Sequence, residues 1–494
     1  MTETIPEQND EKQREIKTIE IINEYYKKCD EINYNINNFY QLFKELKDED
    51  PLIQFKGLIG MKKLCLAEKK KEKPKKFFNV LINYLIIFIK EYSQIFQRES
   101  IICIKNIEKI NLKVDEALKI DKNNDLNEII LNRIKNRKEL KLEELTLEIY
   151  LSYINTILND GDILKKFLYE KIIDEIINII NDSMKENNLV IIKKCLKIFK
   201  TLFLTKVDFN YESEFLGSLQ AFAKNPRDIL LIIRDIMNNY PNEIELIKYS
   251  LNVIEIFSRI NYFNNLNLIR ELNLLPKIIE LTNSENGDII LFSMKIIGNF
   301  AMDNDSSYTQ TLLDLNVIDV LKKTLKKEYD HTSPNIRKEA SLTVSNIAAG
   351  TQEQLIKLYD NNFYEILVDI IENEEEIPCK NNCLWAIYNF TCIKNNEYIK
   401  EIVKKGIIKI IIQRFNIDHE ELLGCSLEAL YNILQCEKNI RNPANINIIE
   451  KEIKDLDVLN AIKNLKETNF EEICQSKINQ LLNTFFLNQI FKQN

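Results

Sequence analysis

The sequence has 494 residues and a formal net charge of −8, and 45% of its residues are hydrophobic. Glycine and proline number only 9 each, which argues against all-β and doubly wound folds because both need many tight turns. Acidic and basic residues are mixed along the chain, whereas nucleic-acid-binding proteins usually show a basic patch or stripe.

Residues 1–45 are predicted to be an N-terminal extension that is only partly helical. The opening MTETIPEQNDEKQ is polar and acidic, so it lacks the basic and apolar regions of a signal peptide. Helical periodicity begins near Ile21 and continues through Leu46. In the segment 48–70, acidic residues precede Pro51, which suits the first position of a helix because that residue needs no hydrogen-bond donor.

Residues 46–262 are predicted to form divergent helical repeats. The basic run KKKEKPKK (69–76) could be a localisation signal, but a solvated loop between helices is the preferred interpretation. The apolar run 77–92 is too short and too interrupted to span a bilayer, so a buried helix is expected there. The polar stretch 111–140 predicts a mostly helical insertion. Further helices are predicted over 96–110, 141–158, 162–180, 186–204, 226–238 and 242–260.

Two sequence markers recur with one period in the regular part of the chain, residues 263–440. The first marker is a corner residue before an apolar helix, and glycine and asparagine suit a corner because they tolerate left-handed backbone. The corner residues are Asn273, Asn316, Asn362 and Gly406, at intervals of 43, 46 and 44 residues. The second marker is a later asparagine: Asn299, Asn346, Asn389 and Asn432, at intervals of 47, 43 and 43 residues.

An all-helical repeat of about 40–47 residues is typical of armadillo and HEAT arrays. The predicted fold is therefore all-α, a right-handed superhelical solenoid of about nine or ten armadillo repeats. Residues 441–494 are expected to form a terminal capping repeat and a tail. The helical pattern over 455–486 supplies that cap, which a solenoid needs because its last face has no neighbour.

The segments around the second marker resemble the importin-α family of armadillo adaptors, which read nuclear localisation signals. In that family, the third helix of a repeat exposes a tryptophan four residues before an asparagine. The segments KEASLTVSNIAAG (338–350) and CLWAIYNFT (383–391) are similar to two successive repeats of this kind. SMKIIGNFA resembles the repeat with a basic residue in place of tryptophan, here Lys295, and SLEALYNIL the repeat with an acid there, Glu428. The segment 48–70 resembles the family's first repeat.

The same positions support peptide binding on physical grounds. Trp385 and Asn389 lie four residues apart and so share a helix face, with Leu384, Ile387 and Thr391 predicted on the core face. An indole at the edge of a groove can stack on a lysine side chain, and asparagine amides can hold an extended main chain. The acids Glu339 and Glu428 are expected beside the ligand's lysines. The predicted peptide-binding residues are Lys295, Asn299, Glu339, Asn346, Trp385, Asn389 and Glu428. The alternative for Trp385 is a core position.

The sequence also departs from the family pattern. Trp385 is the single tryptophan, Leu342 occupies the tryptophan position of its repeat, and Asn382 stands where the family has an acid. The predicted site is therefore confined to the C-terminal repeats. The resemblance implies an importin-β-like receptor as a partner. The family binds that receptor through a basic N-terminal arm, whereas residues 1–45 contain one arginine, Arg14, and no basic cluster.

The leading interpretation is an importin-α-like adaptor that binds basic cargo peptides or proteins in a concave groove, for import from the cytoplasm into the nucleus. The alternative is an armadillo scaffold that has lost peptide binding and serves a cytoskeletal, trafficking or assembly complex. Catalysis is not expected, because no nucleophile–base pair or phosphate-binding loop is visible. No cofactor, metal, nucleic acid or membrane is expected as a partner: the ten cysteines form no CxxC pair, and His331 and His419 are the only histidines. Cys379 and Cys383 are interpreted as structural thiols.

Overall fold

The computed structural model describes residues 39–67, 94–108, 126–157, 172–204, 226–259, 264–326, 333–415, 420–440, 448–466 and 472–486, with single positions from 81 to 89 and at 470. The regular elements of this described part are 24 α-helices and no strands, so the predicted all-α class is confirmed. The chain divides into two compact units, Met1–Ile232 and Ile233–Asn494.

The first unit contains one row of stacked helices with shorter helices beside it. Its helices are α1 (Phe39–Leu46), α2 (Pro51–Ala67), α3 (Gln94–Glu108), α4 (Leu126–Lys135), α5 (Glu144–Ile157), α6 (Ile172–Lys185) and α7 (Leu189–Leu204). Helices α2, α3, α5 and α7 pack side by side in chain order, while α4 packs on α5 and α6 packs on α7. Phe55, Tyr150 and Phe199 are fully buried between them. The described positions of the apolar run 77–92 are helical and buried, as predicted.

A predicted helix boundary in this unit is wrong. The helix expected over 162–180 continues to Lys185, because Ser183 is buried in its last turn and Asp182 accepts a hydrogen bond from Arg137 at 2.9 Å. Among the described residues of the stretch 111–140, Leu126–Lys135 are helical and turns follow, in agreement with the mostly helical pattern predicted there. The predictions made for residues 1–38 and 69–76 concern parts of the chain outside the described residues.

The second unit repeats a set of two short helices followed by a longer third helix. After α8 (Pro226–Asn239), which crosses the boundary between the units, and α9 (Ile244–Arg259), the helices are α10 (Asn265–Glu271), α11 (Leu275–Leu281), α12 (Gly287–Met302), α13 (Ser306–Asp314), α14 (Val317–Leu325), α15 (Pro334–Ala348), α16 (Gln352–Asp360), α17 (Phe363–Asn373), α18 (Ile377–Phe390), α19 (Asn396–Lys404), α20 (Ile407–Gln413), α21 (Glu420–Ile440), α22 (Ile448–Asp455), α23 (Val458–Lys466) and α24 (Glu472–Phe485). The third helices α9, α12, α15, α18, α21 and α24 pack side by side in this order.

Left-handed corners join the first and second helices of each set. The four predicted corner residues all have positive φ angles: 55° at Asn273, 58° at Asn316, 61° at Asn362 and 88° at Gly406. These values confirm the first sequence marker. The structure adds a fifth corner at Asp457, with φ 48°, which the sequence analysis missed. Aspartate tolerates this conformation because its short polar side chain can hydrogen-bond locally.

The Gly406→Ala variant is expected to lose about 1–2 kcal/mol of stability, the cost of holding an L-residue in the left-handed region. A methyl group at this position would meet no atom within 4 Å, so backbone strain is the only expected effect. The measurement is the midpoint of urea unfolding. Asn362→Gly is the matched control, because glycine relieves the strain of the neighbouring corner and should leave the midpoint unchanged or higher. Equal midpoints for Gly406→Ala and the wild type would contradict the prediction.

No helix in the described ranges combines the length and the apolar character needed to cross a membrane. Within the same ranges, no cluster of three or more histidine, cysteine, aspartate or glutamate side chains could hold a metal ion. Both histidines lie outside the described residues.

Candidate peptide-binding site

The third helices of the second unit each turn one stripe of partly exposed side chains away from the core. On α15, for example, Glu339, Leu342 and Asn346 are partly exposed, whereas Ala340 and Val344 are buried. We call the stripes of four successive third helices, α12, α15, α18 and α21, the ladder face. It comprises Lys295 and Asn299 on α12, Glu339, Leu342 and Asn346 on α15, Asn382, Trp385 and Asn389 on α18, and Glu428 and Asn432 on α21. All seven predicted site residues lie on this face.

Local sequence signals place the two central helices of the ladder face. The hydroxyl of Ser333 caps α15 by accepting the Ile336 backbone N–H, and Pro334 begins the helix. Helix α18 likewise has a proline in its first turn. Gly298 on α12 lies against α15, and a Cβ atom there would come within 3.2 Å of the Thr343 hydroxyl. The glycine therefore lets α12 and α15 pack closely.

The two outer asparagines of the ladder face are hydrogen-bonded within the chain. The Asn299 amide donates to the Ser258 hydroxyl at 2.8 Å, and the Asn432 amide donates to the Thr391 hydroxyl at 3.2 Å. Each hydroxyl in turn donates to the backbone carbonyl three residues earlier, at 2.7 Å for Ser258 and 2.6 Å for Thr391. Asn299 therefore braces α12 against α9, and Asn432 braces α21 against the end of α18.

The two inner asparagines lack this brace. Thr391 is two residues after Asn389, and the equivalent positions facing the inner asparagines are Ala301 and Ala348. Both alanines are buried and offer no hydroxyl. The side-chain amides of Asn346 and Asn389 accordingly make no hydrogen bond with any described residue. They keep a donor and an acceptor for a ligand.

This difference between inner and outer asparagines was missed by the sequence analysis, which treated all four alike. A signal was present. For Asn432, the residue two positions after the asparagine of the preceding repeat is the hydroxyl residue Thr391. For Asn346 and Asn389, the corresponding residues are Ala301 and Ala348.

Trp385 lies on the ladder face between Asn382 and Asn389. The Trp385 indole is partly exposed, whereas Leu384, Ile387 and Thr391 are buried, as predicted for the core face of α18. Among the described residues, Trp385 makes no hydrogen bond and no ring contact. The Asn382 amide donates to the Ser341 hydroxyl at 3.1 Å and to the Lys338 carbonyl at 3.2 Å, which holds α18 against α15. Binding of a ligand by Trp385 remains a prediction.

The α12 end of the ladder face carries charges of both signs. Burial raises the pKa of Glu255 on α9, and the nearby Glu339 carboxylate raises it further, while Arg259 and Lys295 oppose the shift. Lys295 and Glu339 therefore share one electrostatic neighbourhood. The positive charge that Lys295 adds makes this end less suited to a ligand lysine than the acid Glu339 alone would be.

Glu428, at the other end, already holds a lysine of the chain. Its carboxylate forms a 2.9 Å ion pair with the Lys477 ammonium, and the two side chains are 52% and 31% exposed. Lys477 also donates to the Gly424 carbonyl at 3.4 Å. Glu428 thus has a partner within the chain, because the packing of α24 on α21 brings Lys477 beside it, and its binding of a ligand lysine remains a prediction.

A buried ion pair fixes the frame between the two central helices. Arg337 on α15 donates to the Glu374 carboxylate from Nε at 2.9 Å and from a terminal guanidinium nitrogen at 3.2 Å. Both residues are more than nine-tenths buried, at 8% and 6% exposure. Cys379 and Cys383 on α18 are also buried, and the Cys379 thiol lies 3.9 Å from the Arg337 carbonyl. These groups pack the repeats together beneath the ladder face.

Comparisons with known proteins support the fold and the resemblance. No protein-family model matches the chain. The chain is 28% identical to importin subunit alpha-3 of Arabidopsis thaliana over 229 residues, which cover 46% of this chain and 42% of that protein. It is 25% identical to importin subunit alpha-4 of the same plant over 214 residues, which cover 42% and 38% of the two chains. The matches thus span about two-fifths of the length of these curated relatives.

A solved structure extends the likeness to nearly the whole chain. An engineered protein superposes with a TM-score of 0.67 at 14% identity, covering 91% of this chain and 99% of its own length. Identity this low shows the fold alone. Together with the three-helix sets described above, it confirms the predicted armadillo solenoid. The resemblance to importin-α is likewise confirmed, at a divergent level.

Proposed function

We propose that this divergent armadillo-repeat protein, which is similar to importin-α, binds a short extended peptide that contains lysine and acts as an adaptor in protein import into the nucleus. One observation carries the proposal. Among the described residues, the side-chain amides of Asn346 and Asn389 have no hydrogen-bond partner, and a partly exposed Trp385 lies one helical turn before Asn389 on the ladder face. These three residues can hold a peptide main chain at two points and stack on a lysine side chain.

Each residue contributes a distinct interaction. The amides of Asn346 and Asn389 donate to and accept from the peptide main chain. The Trp385 indole stacks on the stem of a lysine and attracts its ammonium, which is worth about 0.5–2 kcal/mol. Glu339 adds negative charge on the neighbouring helix. Helices pack about 8–10 Å apart and an extended chain advances about 3.3 Å per residue, so two adjacent helices would hold main-chain groups about three residues apart.

The role in import rests on the relatives. The curated proteins that match are named as importin alpha subunits, and the proposed adaptor shares their cargo class and moves between cytoplasm and nucleus. Residues 1–38, where the family carries its receptor-binding arm, lie outside the described residues. The proposal therefore makes no use of an importin-β-like receptor.

A second candidate function is an armadillo scaffold for a cytoskeletal, trafficking or assembly complex, without peptide binding on the ladder face. The pairing of Glu428 with Lys477 favours it, because it removes one of the two predicted acids from ligand binding. Leu342 in place of a tryptophan favours it too. Peptide binding distinguishes the two candidates.

Titration of the full chain with a fluorescein-labelled hexalysine peptide tests the proposal. We expect saturable binding that weakens as salt rises, since exposed charges are screened over about 8 Å at physiological ionic strength. Trp385→Ala should lower the affinity by about 1–2 kcal/mol through the loss of stacking and of the cation–π contact. Its melting temperature should stay close to that of the wild type, because the indole is partly exposed.

A labelled hexaglutamate peptide is the control ligand, and it should not bind. The absence of saturable hexalysine binding at low salt would reject the adaptor and leave the scaffold. Unfolding of Trp385→Ala would instead show that Trp385 belongs to the core.

A further inference from the structure

The ladder face ends at α21 with two contacts made by the chain itself. Lys477 on α24 holds the Glu428 carboxylate at 2.9 Å. Thr391, at the end of α18, accepts the Asn432 amide at 3.2 Å. At the two preceding repeats, the positions equivalent to Thr391 are alanines, and the asparagine amides opposite them make no hydrogen bond within the described part of the chain. The fourth repeat therefore carries the same ligand-binding groups as the inner repeats but keeps them engaged.

We propose that Lys477 and Thr391 close this end of the ladder face and so set the length of the lysine-containing peptide that the protein accepts. The inference rests on the proposed function and adds two residues that determine specificity. In the free protein, Lys477 takes the place of a ligand lysine on Glu428, and the Thr391 hydroxyl takes the place of a ligand main-chain carbonyl on Asn432.

The exposure of the ion pair supports a role in specificity over one in stability. The Glu428 and Lys477 side chains are 52% and 31% exposed, and exposed pairs contribute little to folding. A ligand lysine that approaches Glu428 meets the Lys477 ammonium already bound at Oε2, so the two ammonium groups compete for one carboxylate. An unpaired Glu428 would have no such competitor.

Opening this end should create one more binding position. Lys477→Met removes the competing ammonium and keeps the apolar stem. Thr391→Ala removes the hydroxyl partner of Asn432, as Ala301 and Ala348 do for the inner asparagines, and leaves the weaker 3.5 Å contact of the Asn432 amide with the Cys392 sulfur. The double variant should therefore accept a longer peptide than the wild type, with Glu428 and Asn432 as its added partners.

The experiment compares labelled hexalysine and decalysine peptides on the full chain and uses the ratio of their dissociation constants. In the Lys477→Met/Thr391→Ala variant, the preference for decalysine should rise about two- to fivefold, the range expected for one exposed charge pair. Adding Glu428→Gln should return the ratio to the wild-type value. Lys477→Met alone should give part of the effect, which keeps the test valid if the buried Thr391→Ala change lowers stability.

Lys400→Met is the matched control, because it also removes one charge and releases an exposed acid, Glu397, on the first helix α19. This variant should raise the affinity for both peptides by the same factor or leave both affinities unchanged. An unchanged ratio in the double variant, with normal hexalysine binding by the wild type, would overturn this inference and leave the proposed function standing. A wild type that binds neither peptide would reject both. A ratio that rises equally in Lys400→Met would reduce the effect to net charge and overturn the inference.

Discussion

The Asn346→Ala/Asn389→Ala double variant is expected to bind hexalysine more weakly by about 2 kcal/mol, roughly thirtyfold, because each amide loses at least one hydrogen bond to the peptide main chain. Its folding stability should be unchanged, since neither amide is bonded to a described residue. The measurements are fluorescence anisotropy for the affinity and urea unfolding for the stability.

The outer asparagines provide a matched control with the opposite signature. The Asn299→Ala/Asn432→Ala variant also removes two asparagine amides, but from the outer positions of the ladder face. Here the amides are bonded to Ser258 and Thr391, so the variant should lose about 0.5–1.5 kcal/mol of stability per hydrogen bond and bind the peptide almost normally.

The crossed pattern makes the result decisive. Equal losses of affinity in the two double variants would show that all four asparagines contact the ligand, and the distinction between inner and outer positions would be wrong. A loss of stability in the inner variant would show that Asn346 and Asn389 have structural partners in the folded chain.

Removing one partner of the buried Arg337–Glu374 pair is expected to have the largest effect on stability. Arg337→Ala should cost about 3–5 kcal/mol, because it removes the guanidinium that forms an ion pair with the buried Glu374 carboxylate. The pair is bidentate and joins α15 to the segment just before α18. The variant should therefore also loosen the two central helices of the ladder face and weaken hexalysine binding. Urea unfolding and amide hydrogen exchange in α15 and α18 would measure both effects.

Two further variants make this prediction specific. Arg337→Met/Glu374→Leu should recover most of the lost stability, because an apolar pair of similar size has no charge to desolvate. The exposed pair Lys277–Glu280 on α11 is the surface control, and Lys277→Ala should change stability by about 1 kcal/mol or less. A loss for Arg337→Ala no greater than that of Lys277→Ala would show that water reaches the Arg337–Glu374 pair.

The repeat and its corners could be predicted from sequence because both depend on local properties. A left-handed backbone favours glycine or a short polar residue, so Asn273, Asn316, Asn362 and Gly406 marked the corners correctly. The stripe that carries Trp385 and Asn389 followed from helical periodicity, which fixes which residues share a face. Local rules were weakest where polar residues ended a pattern early, as in α6, where a distant arginine stabilises the last turn.

The tertiary structure decided which ladder residues are bonded within the chain, although the residues at positions 301, 348 and 391 gave one sequence signal of it. Asn432 and Thr391 are 41 residues apart, Glu428 and Lys477 are 49 apart, and Arg337 and Glu374 are 37 apart. Each contact joins different repeats or the ends of one repeat, so it depends on how far one helix is shifted and rotated against the next. No helical period encodes that shift. The sequence could therefore name the four asparagines and the acids, whereas the packing of the third helices determined that, within the described residues, the amides of Asn346 and Asn389 have no partner and Glu428 has one.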